Sequence, residues 1–177
     1  RRVARLGFFA QLAGIVSQLR KAQEATVVAL ADLAEFRDSG TGGHVRRVQT
    51  LSSAIATRLR DDGVYPEQVT PQLLDMIGLA SILHDVGKVA TPDAVLLKPG
   101  LHTDEERAQM RLHAGVGRTI LERAANMVDG VSYLTYGAQI AGGHHEHFDG
   151  AGYPNGLKGR EIPLAARIVA VVDVFDA

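Results

Sequence analysis

Carboxylate and imidazole side chains stand at the ends of the most apolar segments of this chain, or inside them. The pair His84-Asp85 follows an apolar run that begins at Leu73, and Asp173 interrupts the segment 168–175, whose other residues are all apolar. Burying an unpaired carboxylate in such a segment is unfavourable, so Asp173 needs a hydrogen-bond partner or a bound cation. The chain must therefore fold so that these side chains meet one another, or a metal, inside the molecule.

The spacing of apolar residues predicts an all-α fold. Residues 45–60 carry one apolar face, Thr70-Pro71 is typical of a helix start, and Thr103 with Glu106 forms a capping-box pattern. No segment shows the alternation expected of a half-buried strand. We expect helices over 1–37 and 45–60, from 71 to the His84-Asp85 pair, briefly between 91 and 99, for about 20 residues from 103, over 133–146, and from 163 onward.

The amino-terminal segment is predicted to be one long helix with an apolar seam. A seven-residue register runs through Phe9, Leu12, Val16, Leu19, Gln23, Thr26, Leu30 and Leu33. This seam suits either a coiled coil with a second copy of the chain or packing against the helix's own domain. We expect residues 1–37 to be a signalling or linker helix that forms a homodimer and connects to an upstream receiver or sensor domain. Residues 38–177 would form the second domain, with its C-terminus truncated, because the apolar pattern is still running where the chain stops.

The composition argues against several classes of protein. A net charge of −1 over 177 residues offers no basic surface for a nucleic-acid polymer. The absence of cysteine excludes disulfides and thiolate metal ligands. No apolar run approaches the roughly 20 residues of a transmembrane helix, and we expect a cytoplasmic location.

The candidate metal ligands are spread over five predicted helices, and such groups can converge inside a helical bundle. They are His44, His84, Asp85, His113, His144, His145 and Asp173. Nitrogen and oxygen ligands without thiolates suit Fe, Mn, Zn, Ni or Co. Adjacent ligands diverge by about 100° on a helix, which favours two neighbouring metals with Asp85 as the bridging carboxylate. Two metals about 3.5–4 Å apart are suited to phosphodiester hydrolysis.

Two motifs resemble those of the HD-GYP family. The sequence HDVGK at 84–88 resembles the family's HD-x-GK signature, and HHEHFDGAGYP at 144–154 resembles its HHE-xx-DG-x-GYP signature. The similarity covers the chain from about residue 35 to 177 and continues through 155–163. It implies the helical bundle of an HD domain. It also implies hydrolysis of the bacterial second messenger cyclic di-GMP to linear pGpG, to GMP, or to both.

The resemblance further implies a role for each motif residue. One divalent metal, iron or manganese, would be held by His44, His84, Asp85 and Asp173, and a second by Asp85, His113, His144 and His145. Lys88 would lie near the scissile phosphate. Gly152, Tyr153 and Pro154 would shape a loop beside the site, and this loop could also contact partner domains. Independently of the resemblance, we expect Glu146 to orient a ligand histidine.

One departure from the family bears on the number of metals. Many members carry a glutamate four residues before the first ligand histidine, where it holds a third metal, and here that position is Gly40. We therefore expect two metals.

Two other functions stay open, because substrate contacts are not readable from metal ligands. They are a nonhydrolytic receptor or protein-interaction module, and a phosphohydrolase for another nucleotide.

Overall fold

The computed structural model describes residues 2–37 and 43–177, and within them it contains helices and no strand. The predicted all-α fold is confirmed. The α-helices are α1 (Arg2–Phe36), α2 (His44–Asp61), α3 (Pro71–Ser81), α4 (Asp93–Leu96), α5 (Asp104–Ala125), α6 (Tyr133–Ala141) and α7 (Leu164–Asp176). Short 3-10 helices cover Val86–Ala90 and Gly159–Glu161. Gly40, on which the expected number of metals depends, lies outside the described residues.

The two helix starts predicted from capping patterns are confirmed. At α3, Oγ1 of Thr70 accepts a hydrogen bond from the backbone N–H of Leu73 at 3.2 Å. At α5, the N–H of Thr103 donates to the carboxylate of Glu106 at 2.8 Å, and Oγ1 of Thr103 accepts from the N–H of Glu106 at 3.3 Å. These bonds satisfy amide groups that a helix leaves unpaired at its first turn, and so they fix where each helix begins.

Two helices end earlier than their sequences suggest. Helix α3 ends three residues before His84, and α6 ends three residues before His144, so both histidine motifs lie in turns. The prediction that α6 continues to residue 146 is wrong, because the consecutive glycines 142 and 143 directly follow its last residue. Glycine is among the weakest helix formers, and the chain leaves the helix there. The argument from a 100° separation of adjacent ligands along a helix therefore does not apply.

Helix α3 lies at the centre of the main core, where it packs against α2, α6 and α7. Its side chains Leu73 and Ile77 are fully buried, together with Ile140 of α6 and Val169 of α7. Each large aliphatic side chain buried in this way stabilises the fold by about 1.5–3 kcal/mol relative to exposure. The core thus fixes the C-terminal ends of α3 and α6, from which the two histidine motifs continue.

Helix α1 packs on the domain through only part of its length. Val27 and Ala31 are buried in a second cluster that includes Ile82 and Leu83, and Ala34 is buried as well. The apolar residues of the seven-residue register are instead exposed: Phe9, Leu12, Val16, Leu19, Leu30 and Leu33. The predicted seam is therefore not the face that packs on the helix's own domain. Neither α1 nor any other described helix combines the length and apolar character needed to span a membrane.

Candidate metal centre

The side chains predicted to bind metal lie in two adjacent groups. Within each group, one candidate ligand atom per residue lies within 4.8 Å of the others. The first group contains His44, His84 and Asp173, and the second contains Asp85, His113, His144 and His145. The structure thus brings together all seven predicted ligands, while their binding of metal stays a prediction.

Asp85 lies between the two groups. Its Oδ1 atom is 3.4 Å from Nε2 of His113 and 3.7 Å from Nε2 of His144, both in the second group. Its Oδ2 atom is 3.3 Å from Nε2 of His84, in the first group. One carboxylate oxygen therefore faces each group, which is the arrangement that a bridging ligand requires.

Three buried histidines present the same nitrogen to the centre. In His84, His113 and His144, Nδ1 lies 2.7–3.1 Å from the carbonyl oxygen of the residue three positions earlier. A carbonyl only accepts, so Nδ1 carries a proton, and Nε2 is the atom that each ring can offer to a metal when that nitrogen is unprotonated. Each of these Nε2 atoms is buried without a hydrogen-bond partner in the described part of the chain. An unsatisfied buried nitrogen is unfavourable by about 1–3 kcal/mol, and one metal ion in each group would satisfy all three.

The charges of the centre call for a cation. Burial opposes ionisation of Asp85, but His84, His144 and the Lys88 ammonium outweigh it and hold the pKa of this carboxyl well below its usual range. Nζ of Lys88 lies 2.8 Å from Oδ2 of Asp85. Burial also lowers the pKa of His84, but the carboxylates of Asp85 and Asp173 outweigh that effect and raise its pKa to about 10. Asp85 and Asp173 therefore both stay ionised, and a divalent ion could take the place of the proton on His84 between them.

His145 and Tyr153 form one wall of the centre. Burial, reinforced by His144 and His113, lowers the pKa of His145 to about 3, so its imidazole is neutral and able to donate a lone pair. The rings of His145 and Tyr153 stack with centroids 4.7 Å apart and an angle of 26° between their planes. Burial raises the pKa of Tyr153 to about 12, so its hydroxyl stays protonated.

The loop that carries Tyr153 passes unusually close to the second histidine motif. A Cβ atom on Gly152 would lie 2.2 Å from the backbone nitrogen of His147 and 2.5 Å from the carbonyl oxygen of His145. The N–H of Tyr153 donates to that carbonyl at 3.0 Å, and a cis peptide joins Tyr153 to Pro154. Only glycine fits at position 152, which explains why the motif requires it there.

Glu146 anchors the far side of the same loop. Its buried carboxylate accepts hydrogen bonds from the backbone N–H of Asn155 at 2.7 Å and of Leu157 at 2.9 Å. The prediction that Glu146 orients a ligand histidine is wrong, because both of its oxygens are used by the loop. Its hydrogen bonds hold the Tyr153 loop against the second histidine motif.

A carboxylate that the sequence analysis missed orients His44. Nδ1 of His44 lies 2.6 Å from Oδ2 of Asp176, and Arg47 donates to both oxygens of Asp176 at 2.5 and 3.0 Å. The hydrogen bond from Arg47, followed by that from His44, lowers the pKa of Asp176. Asp176 follows Asp173 by three residues and Arg47 follows His44 by three, so the members of each pair share a helix face. Only the packing of α2 against α7 brings the two pairs together.

Glu35 is a second carboxylate near the centre, and no sequence motif indicated that it would lie there. It lines a small cavity together with His44, His84 and Asp85. Burial raises its pKa, while the two histidines act in the opposite direction. Its position in the last turn of α1 is far from both motifs in the chain, and only the packing of α1 brings it here.

Replacing Asp176 with Asn is expected to weaken metal binding at the His44 group by about 10–100-fold, because the carboxylate that orients a ligand histidine is lost. The group around His113 keeps its ligands and should bind as before. Calorimetric titration of metal-free protein with Mn²⁺ measures both events. The exposed residue Asp129 provides the matched control, Asp129→Asn. Two unchanged binding events in the Asp176 variant would contradict the orienting role.

Comparison with known proteins agrees with the motifs and the geometry. The family model described as HD domain matches residues 28–177. A probable cyclic di-GMP phosphodiesterase of Vibrio cholerae is 46% identical over 90% of this chain and 36% of its own length. The cyclic di-GMP phosphodiesterase response regulator RpfG of Xanthomonas campestris is 40% identical over 94% of this chain and 41% of its own length. A 3'3'-cGAMP-specific phosphodiesterase of Vibrio cholerae is 39% identical over 92% of this chain and 29% of its own length.

This chain therefore spans well under half the length of these curated relatives. The match extends over most of the chain, and it includes both histidine motifs and the helices that position them. The resemblance to the HD-GYP family is confirmed, and the chain belongs to the HD domain family.

Proposed function

We propose that this chain is the catalytic part of a metal-dependent phosphodiesterase that hydrolyses cyclic di-GMP to linear pGpG, to GMP, or to both. The observation that carries the proposal is the pair of ligand groups with Asp85 between them. Paired metal sites of this kind suit displacement at a phosphodiester. The choice of cyclic di-GMP is supported by the relatives of Vibrio cholerae and Xanthomonas campestris that are named for this activity.

We propose two divalent ions, iron or manganese in the first place and zinc, nickel or cobalt as alternatives that the nitrogen and oxygen donors also suit. The residues that would hold them are His44, His84, Asp85 and Asp173 for one ion, and Asp85, His113, His144 and His145 for the other. When bound, such ions polarise phosphate oxygens and lower the pKa of a water molecule.

The remaining residues of the centre would bind and orient the substrate. Lys88 lies beside Asp85 with a largely buried side chain, so its ammonium can offset the charge of a phosphate. Gly152, Tyr153 and Pro154 place an aromatic ring next to His145, where it would exclude water from one side of the substrate. Asp85 and Lys88 are therefore the catalytic residues that we propose.

Product analysis tests this proposal directly. The protein is purified without oxygen, its metals are quantified, and cyclic di-GMP is added to metal-loaded and metal-free samples. We expect linear pGpG or GMP from the loaded sample only, because the donors of the two groups need the ions to act on a phosphate. Binding of cyclic di-GMP without release of a linear product would contradict hydrolysis and favour the nonhydrolytic receptor.

A second candidate substrate is a mixed cyclic dinucleotide. One relative of similar sequence, from Vibrio cholerae, is named as a 3'3'-cGAMP-specific phosphodiesterase. Both substrates present two phosphodiester bonds, and the metal ligands do not distinguish between them. The ratio of kcat/KM for the two compounds, measured with one enzyme preparation, decides which is preferred.

The exposed seam of α1 supports a proposal about assembly. Phe9, Leu12, Val16 and Leu19 recur at coiled-coil spacing and are exposed. We propose that this seam pairs two copies of the chain and that α1 transmits a signal from an upstream receiver or sensor domain. We also propose that partner domains contact the Gly152–Pro154 loop. The proposed location of the protein is the cytoplasm. A monomeric mass in solution at all concentrations would contradict the pairing.

A further inference from the structure

Arg111 is a cation beside the metal centre that none of the predicted roles uses. It lies on α5, two residues before His113, and its side chain is exposed. Its guanidinium carbon is 5.0 Å from the centroid of the Tyr153 ring, a cation–π contact. Tyr153 in turn stacks on His145 and lies 6.5 Å from the ring of His113. A single aromatic ring thus separates the guanidinium from the metal ligands.

The guanidinium has no carboxylate partner among the described residues. Six other arginines of the described chain form ion pairs with aspartate or glutamate: Arg37, Arg47, Arg58, Arg60, Arg107 and Arg118. Arg111 contacts an aromatic ring instead, which leaves its N–H donors available. A planar group with five such donors binds the oxygens of a phosphate in pairs.

The aromatic partner of Arg111 is held in place by hydrogen bonds of its loop. The backbone N–H of Tyr153 is bonded to His145, and the following segment is bonded through Asn155 and Leu157 to the buried carboxylate of Glu146. The ring of Tyr153 therefore gives Arg111 a fixed surface to rest on.

We propose that Arg111, supported by Tyr153, binds the second phosphate of a cyclic dinucleotide while the first phosphate lies at the metal centre. The inference rests on the proposed function, because only a substrate with two phosphates needs such a subsite. A cyclic dinucleotide carries its phosphates on one ring, so the second must lie beside the metal ligands rather than among them. Lys88, paired with Asp85, serves the scissile phosphate, and Arg111 serves the phosphate that stays intact.

The test compares two substrates that differ in their number of phosphates. Cyclic di-GMP has two, and bis(p-nitrophenyl) phosphate has one, so only the first should depend on Arg111. In Mn²⁺-loaded protein, Arg111→Ala should raise KM for cyclic di-GMP by about 10-fold or more, with kcat changed less than about 2-fold. Its kcat/KM for bis(p-nitrophenyl) phosphate should stay within about 2-fold of the wild-type value. Arg111→Lys keeps the charge but not the paired donors, and it should recover only part of the loss.

Arg123 provides a matched control, because it is an exposed arginine further along the same helix and remote from the motif residues in sequence. Arg123→Ala should leave both substrates unaffected. An equal loss with both substrates in the Arg111 variant would overturn the subsite and assign Arg111 to support of the metal ligands through Tyr153. Unchanged KM for cyclic di-GMP would overturn it as well. Failure of the proposed function looks different, since the wild-type protein would then cleave bis(p-nitrophenyl) phosphate but neither cyclic di-GMP nor 3'3'-cGAMP.

Discussion

Replacing Asp85 with Asn is expected to lower the metal content of both ligand groups together and to reduce turnover by more than about 100-fold. Loss of a residue that merely orients a metal ligand reduces affinity or activity by about 10–100-fold. A larger loss is expected at Asp85 because this residue would bind the metals itself. One of its oxygens faces His84, and the other faces His113 and His144. Asn keeps the size of the side chain but loses the charge and one of the two acceptor oxygens.

The measurement combines metal quantification with thermal unfolding, so that it does not depend on activity alone. Wild-type protein should unfold at a higher temperature when Mn²⁺ is added, because a ligand that binds only the folded state stabilises it. The Asp85 variant should lose most of this increase. Asp75, an exposed aspartate on α3, supplies the control Asp75→Asn, which should behave as wild type. Full metal content in the Asp85 variant would refute its position between two ions.

Three of the clustered side chains could be predicted from the sequence to need a partner, because each is polar in an apolar setting. Asp173 lies in an apolar helix, and His84 and His144 follow apolar helices, so each needs a partner that the local sequence does not supply. In the structure, these three side chains find their partners in one another and in the other members of the two adjacent groups. The helix starts were predictable for a similar reason, since the caps at Thr70 and Thr103 are formed by residues close in sequence.

The supporting residues could not be predicted because their partners are distant in the chain. Glu146 adjoins a ligand histidine in sequence, yet its carboxylate is bonded to the backbone at 155 and 157. Asp176 and Glu35 reach the His44 region only through the packing of α7 and α1. Arg111 meets Tyr153 across the loop, at a separation of 42 residues that leaves no local pattern. Residues that contact the ligands locally can be read from motifs, whereas those that hold the motifs in place depend on the fold.

The glycine of the HDVGK motif leads to the second large expected effect. Replacing Gly87 with Ala is expected to destabilise the fold by about 3 kcal/mol or more, a fall in melting temperature of roughly 6–12 °C. The added Cβ would lie 1.9 Å from the carbonyl oxygen of His113 and 2.5 Å from the backbone nitrogen of Gly117. Both are backbone atoms of α5 that cannot rotate aside, so the segment carrying Asp85 and Lys88 must move away from His113. Thermal unfolding of metal-free protein measures the effect on the fold by itself.

Gly115 provides the control, because the same substitution to alanine is expected to raise the stability of the protein there. It lies on the same helix that Gly87 approaches, but a Cβ added there meets no atom within 4 Å. Gly115→Ala should therefore stabilise the protein by about 0.5–1 kcal/mol, because alanine restricts the unfolded chain and favours the helix. If the two variants instead unfold at similar temperatures, the close approach of residues 84–88 to α5 is not what demands glycine. If they diverge, the glycine of the motif is required because it lets Asp85 and Lys88 come within reach of the histidines on the neighbouring helices.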